Sequence, residues 1–401
     1  MPPAAETCGR MGIYVKKDYF CGCGRVARAA RPQPFSGQPY VRDMKKLLSK
    51  IFHVLGIAAC VLLGLMAVLA VVGYFIGRGQ FRDPVEEYAL VGSRVYTRAP
   101  AMMVDAVFDS LRLSGRGVRI GVIDTGFGGM YERRWTRDLH VAAYADFVDG
   151  DTTGFFLAER GRDRDHGAYA LACMGGCVGG GDTIKGLAWE AEYYLAEVDD
   201  FDREPRAEEE RMMQGIRWLL AHDVDIISSS IGYTVFDDYG GYSPGMLDGR
   251  SSRISRFVDS VLTANPGLIF VQSAGNEGDG QWRYNTFPSD VREVISVGQI
   301  AGDGTAREAL SSVGWDGVPY VKPDLCAYVQ PPRRGTSFAA PAVAGLCGAL
   351  LEYRRMSRAE MRELLQAAGT NAAAPDREVG YGVPQTARMH LRPQSGNGRR
   401  I

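Results

Sequence analysis

Short apolar, β-branched runs recur along the chain beyond residue 115. "GVRIGVID" (117–124), "AEYYLAEV" (191–198), "VDIISSSIG" (224–232), "GLIFVQSAG" (267–275) and "EVISVGQI" (293–300) read as strands. Between and after them the spacing changes. "AEEERMMQGIRWLLAHD" (207–223) carries apolar residues at helical intervals, and "GTSFAAPAVAGLCGALLEY" (335–353) and "SRAEMRELLQAAG" (357–369) predict closing helices. Strands alternating with helices predict an α/β domain over residues 116–388: an open, mostly parallel sheet with helices on both faces. Residues 389–401 read as a flexible tail.

The upstream pattern differs. Residues 1–43 are rich in Ala, Arg, Gly and Pro, show no sustained period and read as a disordered extension. "MKKLLSK" (44–50) is a positively charged flank whose Met44 resembles a natural start, so residues 1–43 could reflect a start assigned too far upstream. Residues 51–76 contain no Asp, Glu, Lys or Arg. Such a run is long enough to cross a hydrocarbon core of about 30 Å as one transmembrane signal anchor. Arg42, Lys45, Lys46 and Lys50 precede it, against Arg78 and Arg82 after it. The bias puts the N-terminus in the cytoplasm and the remainder of the chain outside it. A cleaved signal ending at Val68-Leu69-Ala70, or lipidation at the "IAAC" box ending in Cys60, would give a secreted or lipid-anchored protein instead. Residues 77–115 read as a juxtamembrane linker carrying one short amphipathic helix, over "APAMMVDAVFDSLRL" (99–113), that packs on the domain.

Composition removes some classes. The 401 residues carry a formal net charge of −1 and no long block of one sign, so a nucleic-acid partner is not expected. The eight cysteines show no metal-binding spacing with histidine, and Cys173 and Cys177 read as small buried residues. Fifty glycines suit many tight strand-to-helix turns. Nothing in the pattern fixes an oligomeric state.

Four residues stand where chemistry would sit. Asp124 ends a buried strand at a Gly-rich turn, beyond which parallel sheets build their sites; alone it could simply cap that turn. His166 precedes Gly167 and a small-residue helix, though a lone histidine is more often structural. Asn276 lies in a turn after "LIFVQ", where Asn commonly serves turn geometry but can also aim an amide at a developing oxyanion. Ser337 opens a helix of small and apolar residues. Its N–H is free of intrahelical bonds, and Pro341 one turn on is tolerated near a helix start.

Taken together, "GRGVRIGVIDTGF", "DHG", "AGNEG" and "GTSFAAPAVAG" resemble the Asp, His, oxyanion-Asn and Ser motifs of the subtilisin-like serine peptidase family, in that chain order. "KGLAWEAEYYLAEV", "VDIISSSIG" and "SSVGWDGVPYVKPDLCA" resemble its intervening segments, and the likeness covers about residues 115–388. The resemblance implies a serine endopeptidase in which Ser337 attacks the scissile carbonyl, His166 shuttles the proton and Asp124 orients the imidazole. Asn276 and the Ser337 N–H would form the oxyanion hole. Ser228, Ser229, Ser230, Ile231 and Gly232 would pair with a polypeptide substrate as an added strand, and Ile231 and Tyr233 would make an apolar-tolerant wall. No cofactor is required; calcium, which many members bind through loops, has only one acidic residue to support it in "VGGGDTIKG" (178–186). "AYALACMGG" after His-Gly, with Tyr169, departs from the family pattern and alters the adjoining pocket, and residues 78–115 are too short for a folding propeptide. A sedolisin-like enzyme would use Glu as base, against His166 and Asn276. A catalytically inactive, membrane-anchored peptide-binding or scaffold protein is the alternative outside enzymology.

Overall fold

A computed structural model describes residues 38–80, 86–150, 165–199 and 204–392. Two compact units are present, residues 1–82 and 83–401. The first contains helix α1, Gln38–Gln80. Its stretch Met44–Met66 has 23 residues and a mean hydropathy of 2.0. At 1.5 Å per residue it spans roughly 34 Å, enough for a hydrocarbon core, as an anchor or a signal sequence does. Residues 38–43, expected to be disordered, begin this helix, and residues 77–80 continue it; residues 1–37 lie outside the described residues.

The second unit opens with strands β1 (Tyr88–Val91) and β2 (Arg94–Thr97) and short helices α2 (Arg98–Ala101) and α3 (Ala106–Leu111). The expected linker is therefore folded from Glu86 onward. Tyr96, Met103 and Phe108 enter the main core, and the buried Arg94–Asp109 ion pair, 2.6 Å apart, ties β2 to α3. The reason is burial: once these large side chains find a cavity, ordering the segment removes enough apolar surface to offset its lost conformational entropy.

There follow β3 (Arg119–Asp124), β4 (His140–Asp146), α4 (His166–Gly175), β5 (Cys177–Val178), β6 (Thr183–Ile184), β7 (Glu192–Glu197), α5 (Ala207–Ala221), β8 (Ile226–Ser229), α6 (Arg253–Ala264), β9 (Ile269–Ser273), β10 (Ile295–Ile300), β11 (Leu325–Tyr328), α7 (Thr336–Tyr353) and α8 (Arg358–Ala367). Seven strands form one sheet in the order β11-β10-β9-β8-β3-β7-β4, with every pairing parallel. β1, β2, β6 and β5 form a smaller sheet.

The large sheet is covered on both faces, which explains its near-continuous apolar strands. Along β7, Tyr193 and Leu195 join the core under α4 and α7, while Tyr194 and Ala196 join the core under α5 and α6. Chain order reverses around β3, which lies between β7 and β8. At such a switch point the connections leave in opposite directions and open a crevice beyond the strands' C-terminal ends. Asp124 ends β3 and Ser230 follows β8 at that crevice. At the far end, Met389 is buried and the Arg392 N–H donates to the Tyr353 hydroxyl at 3.3 Å, so the expected tail is docked as far as residue 392.

Candidate active site

Asp124 is fully buried at the end of β3. Its Oδ1 accepts the Thr125 N–H at 2.8 Å and lies 2.6 Å from His166 Nδ1. That contact assigns the proton to Nδ1 and leaves Nε2 as the acceptor. His166 is the first residue of α4, and Gly167 fixes its approach. The Gly167 N–H donates to the Gly126 carbonyl at 2.7 Å, and a Cβ on Gly167 would fall 2.6 Å from that same oxygen. Burial pulls the imidazole pKa down. The Asp124 charge and hydrogen bond together outweigh burial and hold it above its ordinary value.

Ser337 is the second residue of α7 and is 8% exposed. Its N–H, in the helix's first turn, has no intrahelical acceptor. Gly335, with φ 127°, turns the chain into the helix, and the Gln299 side chain accepts its N–H at 2.7 Å. Pro341 would ordinarily donate to the Ser337 carbonyl four residues back but has no N–H. Instead the Ser230 hydroxyl donates to that carbonyl at 3.0 Å. The Ser337 hydroxyl in turn points to the Ser230 carbonyl at 3.5 Å, the outer limit of a hydrogen bond. Among the described residues no hydrogen bond joins Ser337 to His166. Turning Ser337 Oγ away from so long a bond costs little, and catalytic contacts commonly tighten only when substrate is present. The His166 ring packs on Phe338 with centroids 4.9 Å apart.

Asn276 is held by its oxygen. Oδ1 accepts the Thr336 N–H at 2.9 Å and the Thr336 hydroxyl at 3.2 Å, and Thr336 Oγ1 accepts the Gly275 N–H at 3.1 Å. The amide nitrogen is thereby left to donate outward, about 3.6 Å from the position a Cβ on Gly335 would take. Sequence reasoning missed Thr336, Gln299 and the Ser230 clamp. Only the Gly-Thr-Ser wording and the misplaced proline hinted that this helix start is held from outside.

One expectation needs correction. Ser228 and Ser229 cannot extend a substrate strand, because they sit inside the sheet. Ser228 pairs with Val122 and Val271, and Ser229 with Ile123 and Gln272. A central strand has both backbone edges occupied. Ser230, Ile231 and Gly232 lie beyond the strand. The Ser230 N–H is used by the Ile123 carbonyl and the Ile231 carbonyl by the Gln272 amide at 2.7 Å. Gly232 is half-buried, and among the described residues its backbone has no hydrogen-bond partner.

Cys173, Cys177, Cys326 and Cys347 are free thiols; burial pushes Cys177 up to about 11 and Cys347 up to about 12. Among the described residues no group of three His, Cys, Asp or Glu side chains is placed to hold a metal ion.

Known proteins share this fold and part of this sequence. Subtilisin NAT of Bacillus subtilis subsp. natto is 24% identical over an alignment of 265 residues that covers 64% of this chain and 61% of that protein. The intracellular serine protease of Paenibacillus polymyxa is 29% identical over an alignment of 250 residues that covers 60% of this chain and 68% of that one. Among solved structures, the Clostridium perfringens CspB protease shares the fold with a TM-score of 0.56 and 16% identity, over 72% of this chain and 97% of that one. The model of the subtilase family matches residues 115–382, the whole region that carries the crevice and its side chains, and the chain belongs to that family.

Proposed function

We propose that this chain is a serine endopeptidase that cleaves polypeptides through Ser337, His166 and Asp124. The observation that carries this reading is the 2.6 Å contact of a fully buried carboxylate with an imidazole, set beside a serine at the start of a helix. Ser337 Oγ swings from the Ser230 carbonyl to His166 Nε2, transfers its proton there and attacks the scissile carbonyl. Asp124 keeps the Nδ1 proton in place and stabilises the imidazolium. The Ser337 N–H and Asn276 Nδ2 receive the oxyanion, the latter already anchored through Oδ1 and so costing little reorganisation. His166 then protonates the leaving amine, and water hydrolyses the acyl-enzyme. Gly232 contributes open backbone for the acyl side of the substrate.

Residues 51–76 serve as an uncleaved single-pass anchor, with the N-terminus cytoplasmic and the peptidase domain outside the membrane. The apolar length of α1 and the basic residues on its N-terminal flank support this topology.

A membrane-impermeant fluorophosphonate probe applied to intact cells tests both statements, with Ser337→Ala beside the wild type. Labelling of the wild type alone is expected. Labelling only after lysis would retain the peptidase and reverse the topology. No labelling in either would favour the inactive, membrane-anchored scaffold.

A further inference from the structure

A cavity of about 60 Å³ is lined in part by Phe338 and Tyr169, and Phe338 also packs against the His166 imidazole, with ring centroids 4.9 Å apart. Because His166 delivers its proton to the departing amine, this is the leaving-group side of the reaction. The walls are largely apolar, with Trp135, Ala172 and Val329 among them, yet one carboxylate, Glu86, and three cations also reach it: Arg133, Lys185 and Arg333. Two of these are matched. Arg133 pairs with Asp165, and Lys185 pairs with Glu86, which Arg134 also holds at 3.0 Å.

Arg333 is different. Its guanidinium carbon sits over the Tyr169 ring, 3.3 Å from the centroid, and 5.8 Å from the centroid of Phe338. Arg133 covers Tyr169 as well, at 4.3 Å. Stacking occupies the faces of the guanidinium, while its five N–H donors lie in the plane and point outward. Among the described residues none of those donors has a protein acceptor within hydrogen-bond reach, and the half-buried charge feels a carboxylate only at longer range, that of Asp165, which Arg133 already pairs. An aromatic shelf that fixes such a fork, beside an apolar recess with surplus positive charge, is built to receive a planar anion bidentately.

We infer that Arg333 is a specificity-determining residue that binds a carboxylate on the leaving-group part of the polypeptide, seated in the cavity bounded by Phe338, Tyr169 and Val329. This rests on the peptidase reading above. The carboxylate is either an Asp or Glu side chain just after the scissile bond or the terminal carboxylate of a short leaving peptide.

The test uses the full chain in detergent micelles and peptides differing only in that region: Asp or Asn after the scissile bond, each with a free or an amidated C-terminus. A charge-assisted bidentate contact predicts kcat/KM about tenfold or more higher for the acidic member. In Arg333→Gln the acidic and neutral peptides should become equal, and Arg333→Lys should keep part of the preference. Fluorophosphonate labelling of Ser337 should be unchanged in both variants, which shows the fold and nucleophile intact. A preference that follows Asp identifies the side chain, and one lost on amidation identifies the terminus; both support Arg333. Equal cleavage of acidic and neutral peptides by a wild type that labels normally would overturn the inference alone. A wild type that neither labels nor cleaves would remove the peptidase reading with it.

Discussion

Asp124→Asn is the sharpest probe of the site, since the side chain keeps its size and loses its charge. At 2.6 Å and an effective dielectric near 20, a carboxylate and an imidazolium attract by roughly 6 kcal/mol before desolvation is subtracted. That attraction keeps the His166 pKa above its ordinary value despite burial. In the variant the burial contribution remains and the charge does not, so the pKa should fall below the ordinary value of about 6.5. The sign in activity follows. The base must be neutral, so kcat/KM in the wild type rises with pH through a limb above about 6.5. In Asp124→Asn that limb should move to the acid side of the same value. The plateau should also drop, by about 10³–10⁴-fold, because an amide can donate to Nδ1 and drive the proton to Nε2, where Ser337 needs an acceptor. The assay is kcat/KM for a fluorogenic peptide across pH, with the His166 ring protons titrated by NMR in parallel. A limb that stays in place, or a plateau within tenfold of wild type, would refute the assignment of Asp124 as the partner that sets His166.

Three further outcomes are expected. Asn276→Ala should lower kcat by about 10²–10³-fold, the range for loss of one oxyanion donor, with KM nearly unchanged; equal loss in binding and turnover would point to a structural role through Thr336. Ser230→Ala should lower stability by about 1 kcal/mol by stripping the Ser337 carbonyl of its donor, measured by chemical denaturation. In a Pro341→Ala background, where the helix supplies its own N–H, the same substitution should cost less, and an unchanged cost would sink the clamp. Phe108→Ala should cost about 3–5 kcal/mol in thermal or chemical unfolding of the second unit, because the ring is fully buried; a negligible change would restore the linker reading of residues 77–115.

The sequence by itself determined the class of fold and singled out the residues proposed for the chemistry. Apolar β-branched runs alternating with helical spacing announce a parallel sheet because a strand buried on both faces has no polar side. Asp124, His166, Asn276 and Ser337 were legible because each motif combines a reactive group with the small residues its close backbone approach demands. Helix α6 also left a signal, Ser252 as cap and apolar Ile254, Val258, Val261 and Leu262 at helical spacing, and belonged within reach of the same reasoning. Strand β4, at the sheet edge and only half-buried, left a weaker pattern. Tertiary structure alone decided what long-range contact creates. Register placed Ser228 and Ser229 within the sheet and Ser230 beyond it, and no local rule sets where a central strand ends. Residues 86–113 looked like a linker because their few large apolar side chains bury against partners far along the chain. The Ser230 clamp on a carbonyl freed by Pro341, and the guanidinium of Arg333 over Tyr169, join residues separated by 107 and 164 positions; sequence spacing carries no record of such meetings.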